Sequence, residues 1–221
     1  MDTAPIKILI ADDHEIVRQG VRNLVEAESD MTVCAEATLG RDAVKLAESL
    51  QPDVAVLDLC MPELNGIETT KQMLRVSPQT RVLIFTMHEA EQLVREVFES
   101  GAHGYVLKSD AGRHLLSAIR TVAAGSHFFS SRLSEVIFDG FLNRGESRPG
   151  LATPGLGKPS SREREIIQLL AEGKSNKEVA STLGISVKTA ETHRASIMRK
   201  LNLRSVSDLV RYAIRNHIIE A

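Results

Sequence analysis

Tryptophan is absent from this 221-residue chain, and aromatic residues make up 4% of it. Pockets for small organic molecules are usually lined by such rings, so their scarcity argues against a ligand-sensing domain. Only two cysteines occur, Cys34 and Cys60, and neither has the paired spacing of a metal site; a disulfide framework is not expected. No apolar run reaches signal-peptide or membrane-spanning length, because the first, IKILIA, is stopped at once by Asp12 and Asp13. The expectation is a cytoplasmic protein in a reducing compartment, with no membrane partner. Neither sign of charge predominates, the net value being −2 at pH 7.

That small total hides an asymmetry. Residues 1–142 carry 13 Lys and Arg against 21 Asp and Glu, a net of −8, whereas residues 160–221 carry 11 against 7, a net of +4. An acidic front and a basic tail imply different partners, and a length above 200 residues suits more than one domain. Between them GESRPGLATPGLGKP places Gly and Pro where neither helix nor sheet persists, which marks a linker. The expected domains are 1–125, a connecting segment 126–158 that opens with a further helix, and 159–221.

Within the front domain, β-branched runs at 6–11, 31–36, 53–59, 81–86 and 103–107 alternate with amphipathic helical patterns. In the first of these helices Ile16, Val17, Gly20, Val21, Leu24 and Val25 recur at three- and four-residue steps. Alternation of this kind builds an α/β domain with a doubly wound, five-stranded parallel sheet, whose ligands sit beyond the carboxyl ends of the strands. At those ends stand Asp12 and Asp13, Asp58, Thr86 and Lys108. Carboxylates about 4 Å apart repel by roughly 4 kcal/mol per pair at an effective dielectric near 20, so the acidic cluster calls for a cation. Mg2+ suits it, being a hard ion that bridges carboxylate to phosphoryl oxygen. Asp58 is then the expected nucleophile for a phosphoryl group, with the Lys108 charge and the Thr86 hydroxyl placed for phosphate oxygens. Asp13 is expected also to cap the helix starting near Ile16. His88, two residues past Thr86, is read as a rim residue that influences water access to the phosphoryl group; an unchanged dephosphorylation rate in His88→Ala would remove that reading.

Together Asp12, Asp13, Asp58, Thr86, Tyr105 and Lys108 resemble the receiver domain of bacterial two-component response regulators over residues 6–125, a flavodoxin-like fold. The resemblance implies that Asp58 takes its phosphoryl group from a histidine kinase. It also implies that Asp12, Asp13, Asp58 and the backbone carbonyl of Cys60 hold Mg2+, and that Thr86 moves toward the phosphate so that Tyr105 turns inward. Static packing explains Tyr105 equally well. Many receivers follow the lysine with a cis proline, and Ser109 in that place leaves the peptide geometry open.

The tail reads as four short helices. Ser160 or Ser161, then Ser175 and Ser186, stand as caps, and Gly173 and Gly184 as stops. On the third helix Ala190, Ile197 and Leu201 share one side, while Lys188, Thr192, Ala195 and Arg199 line the other. A polar stripe with small residues in its middle suits entry into the major groove of double-stranded DNA. Lys188, Thr192 and Arg199 are the expected groove contacts; Thr189, Arg194 and Lys200, nearer the edges, suit phosphates. SREREIIQLLAEGKSNKEVA and KTAETHRASIMRKLNL resemble the LuxR-type helix-turn-helix, in the NarL/FixJ arrangement that follows a receiver. The implied function is a transcriptional response regulator, dimeric when phosphorylated, and not an enzyme. Two other readings were weighed. A ligand-sensing quorum regulator would share the tail, and a haloacid-dehalogenase-like phosphatase would want an acid at the position Cys60 holds.

Overall fold

The computed structural model describes residues 4–129 and 157–220. They fall into two compact units, divided between Gly145 and Glu146.

In the first unit six parallel strands lie in the order β2-β1-β3-β4-β5-β6. They are β1 Ile6–Ala11, β2 Met31–Ala37, β3 Val54–Leu57, β4 Arg81–Thr86, β5 Gly104–Leu107 and β6 Phe128–Phe129. Five helices connect them: α1 Glu15–Glu26, α2 Gly40–Leu50, α3 Gly66–Val76, α4 Glu91–Glu99 and α5 Ala111–Ala123. Successive strand residues point to opposite faces, which sorts the core in two. Leu9, Leu57, Ile84 and Tyr105 pack with residues of α2, α3 and α4, such as Ala43, Met73 and Leu93. Ile8, Ile10, Val56, Leu83 and Val106 pack with residues of α1 and α5, such as Val21, Val25, Leu115 and Ile119. With both faces covered, the strands read as continuous apolar runs.

The sheet departs from expectation at its far edge. The sixth strand, Phe128–Phe129, stands where the sequence predicts the start of a connecting helix; the remainder of that expected helix lies outside the described residues. Gly104 explains the strand: a Cβ there would stand 3.0 Å from the Phe128 carbonyl oxygen and 2.7 Å from Leu83 Cδ1, so only glycine admits a chain this close. Ile16, counted on the buried face of α1, is 87% exposed. It occupies the first turn, just beyond the carboxyl end of β1, where no sheet remains to cover it. At the other edge β2 carries a bulge, since Ile8 pairs with Val33 and Leu9 with Ala35. The extra residue is Cys34, whose thiol donates to the Ile8 carbonyl at 3.3 Å.

The second unit consists of α6 Ser161–Ala171, α7 Asn176–Leu183, α8 Val187–Lys200 and α9 Val206–Arg215. Their apolar faces meet in one core of Ile166, Leu169, Val179, Ile197, Leu209 and Ala213 with their neighbours. Each helix opens on a serine. Ser160 and Ser175 form capping boxes with Glu163 and Glu178, while Ser186 and Ser205 accept from the amides of Thr189 and Asp208. Gly184 ends α7 at φ 63°, which turns the chain sharply into α8. Among the described residues no helix is long and apolar enough to cross a membrane.

Candidate functional site

The strand order reverses at β1 and β3, and the acidic residues leave the sheet there. Ala11 is in register with Leu57, and the Asp58 amide donates to the Ala11 carbonyl at 2.8 Å. Asp12 and Asp58 therefore emerge side by side, exposed to only 2% and 4%. On the next pair of strands Thr86 is in register with Leu107, so Lys108 enters from the same edge. Its ammonium stands 2.7 Å from Asp12 Oδ2 and 3.1 Å from Asp58 Oδ1. The ammonium is thus within charge-assisted hydrogen-bonding distance of both carboxylates.

Local chemistry fixes each part. Asn65 caps α3 by accepting from the Glu68 amide. Gly66 follows because a Cβ at this point would lie 2.3 Å from the Asp58 carbonyl oxygen. The loop after Asp58 can therefore fold back tightly on the strand end. The expected Asp13 cap is not formed. His14 occupies the cap position of α1, and it is Asp12 Oδ1 that accepts from the His14 amide, at 2.9 Å. Asp12 directly follows the strand, so its side chain turns back toward the helix start, whereas Asp13 reaches the His14 ring at 2.8 Å. Arg18 donates to the Asp12 carbonyl at 2.9 Å. His14 and Arg18 were not foreseen as parts of this site; the only signal was their place on the first turn after the acidic pair.

Burial pushes the Asp58 carboxyl above its ordinary range; Lys108 opposes this and Asp12 adds to it. Burial pulls the Lys108 ammonium down, but Asp58 and Asp12 outweigh it and hold the group above its usual value. The lysine thus stays charged between two carboxylates. The donor set suits a hard divalent cation. Ligand atoms of Asp12, Asp13, His14 and Asp58 lie within 4.8 Å of one another. All except the His14 nitrogen are oxygens.

Behind the acidic cluster lies a chain of polar contacts. The His88 amide donates to Thr86 Oγ1 at 3.3 Å, the Tyr105 hydroxyl donates to the His88 carbonyl at 2.7 Å, and His88 Nε2 stands 3.3 Å from Cys60 Sγ. Tyr105 is fully buried, and burial raises its phenol well above the ordinary range, ahead of the charges of Cys60, Asp58 and Glu89. The Lys108–Ser109 peptide is trans.

On α8, Ala190, Ile197 and Leu201 are buried and Lys188, Thr189, Thr192, Ala195 and Arg199 exposed, as the periodicity requires. The remaining two basic residues are half-buried and engaged elsewhere. Lys200 pairs with Glu163 at 2.7 Å, and Arg194 donates to Asn176 Oδ1 at 3.4 Å. The Thr192 hydroxyl donates to the Lys188 carbonyl at 2.8 Å, and Thr189 Oγ1 shares a hydrogen bond with Ser186 Oγ at 2.8 Å.

Comparison with known proteins agrees with both halves. Residues 8–120 match the response regulator receiver domain, and residues 160–213 match the LuxR family of bacterial regulatory proteins. The oxygen regulatory protein NreC of Staphylococcus carnosus is 37% identical over 216 residues, which cover 97% of this chain and all of that protein. A LuxR-family response regulator from Aurantimonas superposes with a TM-score of 0.60 at 36% identity, covering 63% of this chain and 99% of that one. RcsB of Salmonella typhimurium superposes with a TM-score of 0.58 at 26% identity, covering 95% and 98%. RcsB has also been solved as dimers bound to DNA. The ligand-sensing alternative is not favoured by any of these matches. The chain belongs to the two-component response regulators that join a receiver domain to a LuxR-type DNA-binding domain, and it is a regulator of transcription.

Proposed function

We propose that Asp58 accepts a phosphoryl group from a histidine kinase and that the phosphorylated chain binds promoter DNA as a dimer. The observation that carries this reading is the position of the Lys108 ammonium between the buried carboxylates of Asp12 and Asp58. An Asp58 oxygen attacks phosphorus, the bond from phosphorus to the donor imidazole breaks, and the imidazole takes up a proton. Lys108 meets the phosphoryl oxygens, and Thr86 adds a hydrogen bond. Asp12, Asp13, Asp58 and the backbone carbonyl of Cys60 would hold Mg2+, which when bound supplies positive charge to the incoming phosphoryl oxygens. Movement of Thr86 toward the phosphate removes the acceptor of the His88 amide, and the partner of the Tyr105 hydroxyl shifts with it. Phosphorylation then favours one of two states by binding it better.

The domains would run 1–125 and 159–221, with residues 126–158 connecting them. In the second, Lys188, Thr192 and Arg199 face the groove and Thr189 and Arg194 the phosphates, while Lys200, expected among the phosphate contacts, is held by Glu163. The protein works as a cytoplasmic switch, consumed and reset with each phosphoryl group, rather than as a catalyst.

The test is incubation with Mg2+ and an acyl phosphate donor, following intact mass and operator binding in the wild type and in Asp58→Asn. Gain of one phosphoryl group, lost in the variant and accompanied by tighter operator binding, is the expected result. Normal operator occupancy with no uptake from any donor would overturn the reading.

A further inference from the structure

We propose that β6 is the reporter through which the segment between β4 and α4 is coupled to the chain leading to the DNA-binding unit. The inference rests on the phosphorylation of Asp58 described above. Its basis is that the strand pairs with β5, whose Tyr105 bonds that segment, and stacks on α4, the helix that follows it.

The first connection runs through β5. Gly104 and Tyr105 are in register with Phe128 and Phe129, and the Phe128 amide donates to the His103 carbonyl at 3.1 Å. The same Tyr105 holds the His88 carbonyl through its hydroxyl. A change in what Tyr105 bonds therefore acts on the strand that β6 is paired with. The second connection runs through α4, which starts five residues after Thr86. Near its end Phe98 stacks on Phe129, with ring centroids 4.5 Å apart and planes 24° from parallel. The His127 ring extends the stack, 6.0 Å from Phe98. A displacement of α4 therefore separates or slides the rings.

β6 is two residues long and, among the described residues, lies at the sheet edge beside β5 alone, and short edge elements occupy the low-stability end of a fold. Its pairing then depends on both neighbours being in place, and small shifts of packed elements are amplified because packing has discrete arrangements. The next residue of the chain, 130, begins the connection toward the second unit. A strand that seats in one state of the receiver and loosens in the other alters where that connection starts, with no further signal required.

The test uses the full chain carrying Phe129→Ala, Phe98→Ala or Phe129→Tyr, with phosphoryl uptake, thermal unfolding and operator affinity measured before and after phosphorylation. A coupling of ordinary size makes the wild-type gain in affinity roughly 5- to 150-fold. In both alanine variants uptake and unphosphorylated affinity should match the wild type while the gain falls to about onefold, uncoupling the two sites. Phe129→Tyr, which keeps the stacked ring, should restore it. A merely structural role would lower the unfolding temperature and unphosphorylated binding together and leave the ratio intact, which would overturn the proposal. If a variant does not fold, hydrogen exchange at the Phe128 amide of the wild type decides: protection must differ between the two phosphorylation states, and equal protection sinks the inference. Failure of the wild type to take up phosphoryl would instead remove the underlying functional reading.

Discussion

Lys108 stands closer to Asp12 than to Asp58, at 2.7 Å against 3.1 Å. Burial raises the pKa of Asp58, so the folded protein binds that proton more tightly than the unfolded chain does. By linkage, stability is lost as pH rises from the ordinary value of 3.8 through the raised one. Asp58→Asn should therefore be the more stable protein at neutral pH without divalent metal, Lys108 keeping Asp12 as its partner. Denaturant titrations should show this advantage vanishing below the ordinary carboxylate range. An equal advantage at every pH would contradict the assignment.

His103 gives the opposite sign. Burial first, then Arg81 and His127, lower its pKa from 6.5 to about 4. Its neutral form is favoured in the fold, so the stability it supports is complete above 6.5 and drains away as pH falls toward 4. Unfolding midpoints measured across that window should fall more steeply for the wild type than for His103→Asn. Parallel slopes would mean that other groups set the acid limit.

Arg199 and Lys200 adjoin in sequence but differ in commitment. Arg199 is exposed, while Lys200 pairs with Glu163 at 2.7 Å. Arg199→Ala should weaken operator binding and reduce the salt slope by about one unit if it meets a phosphate, or relax one base position at a cost of about 1 to 3 kcal/mol if it reads an edge. Lys200→Ala should chiefly lower the unfolding temperature of the second unit. Reversal of these outcomes would place the DNA on the other edge of α8.

Cys34 fills the bulge of β2, where its thiol serves the Ile8 carbonyl and burial raises its pKa. Cys34→Ala leaves that carbonyl without its side-chain donor and should cost about 1 kcal/mol, whereas Cys34→Ser, which keeps a donor, should cost less. Thiol-modification kinetics on the folded protein should be slow at this residue until denaturant is added.

What could be read from residues alone depended on how local the cause was. Strand ends carrying Asp12, Asp58, Thr86 and Lys108 were legible because an apolar run bounded by loop residues fixes where its last side chain emerges. Serine caps on the first three C-terminal helices were legible for the same reason. β6 was not, because a two-residue strand has no periodicity and owes its place to the missing side chain of Gly104, more than twenty residues earlier. Asp12 rather than Asp13 meets the start of α1 because the strand's end sets the direction of each side chain, which spacing alone does not reveal. The pairing of Lys200 with Glu163 joins residues 37 apart in sequence and has no local trace.

Every described helix of that second unit opens on a serine, and the apolar faces of these four meet in one core. Such a module is portable. Excised just ahead of Ser160 and grafted behind an unrelated sensory protein, it should keep its shape, so new inputs can be wired to the same promoters by exchanging only what precedes it.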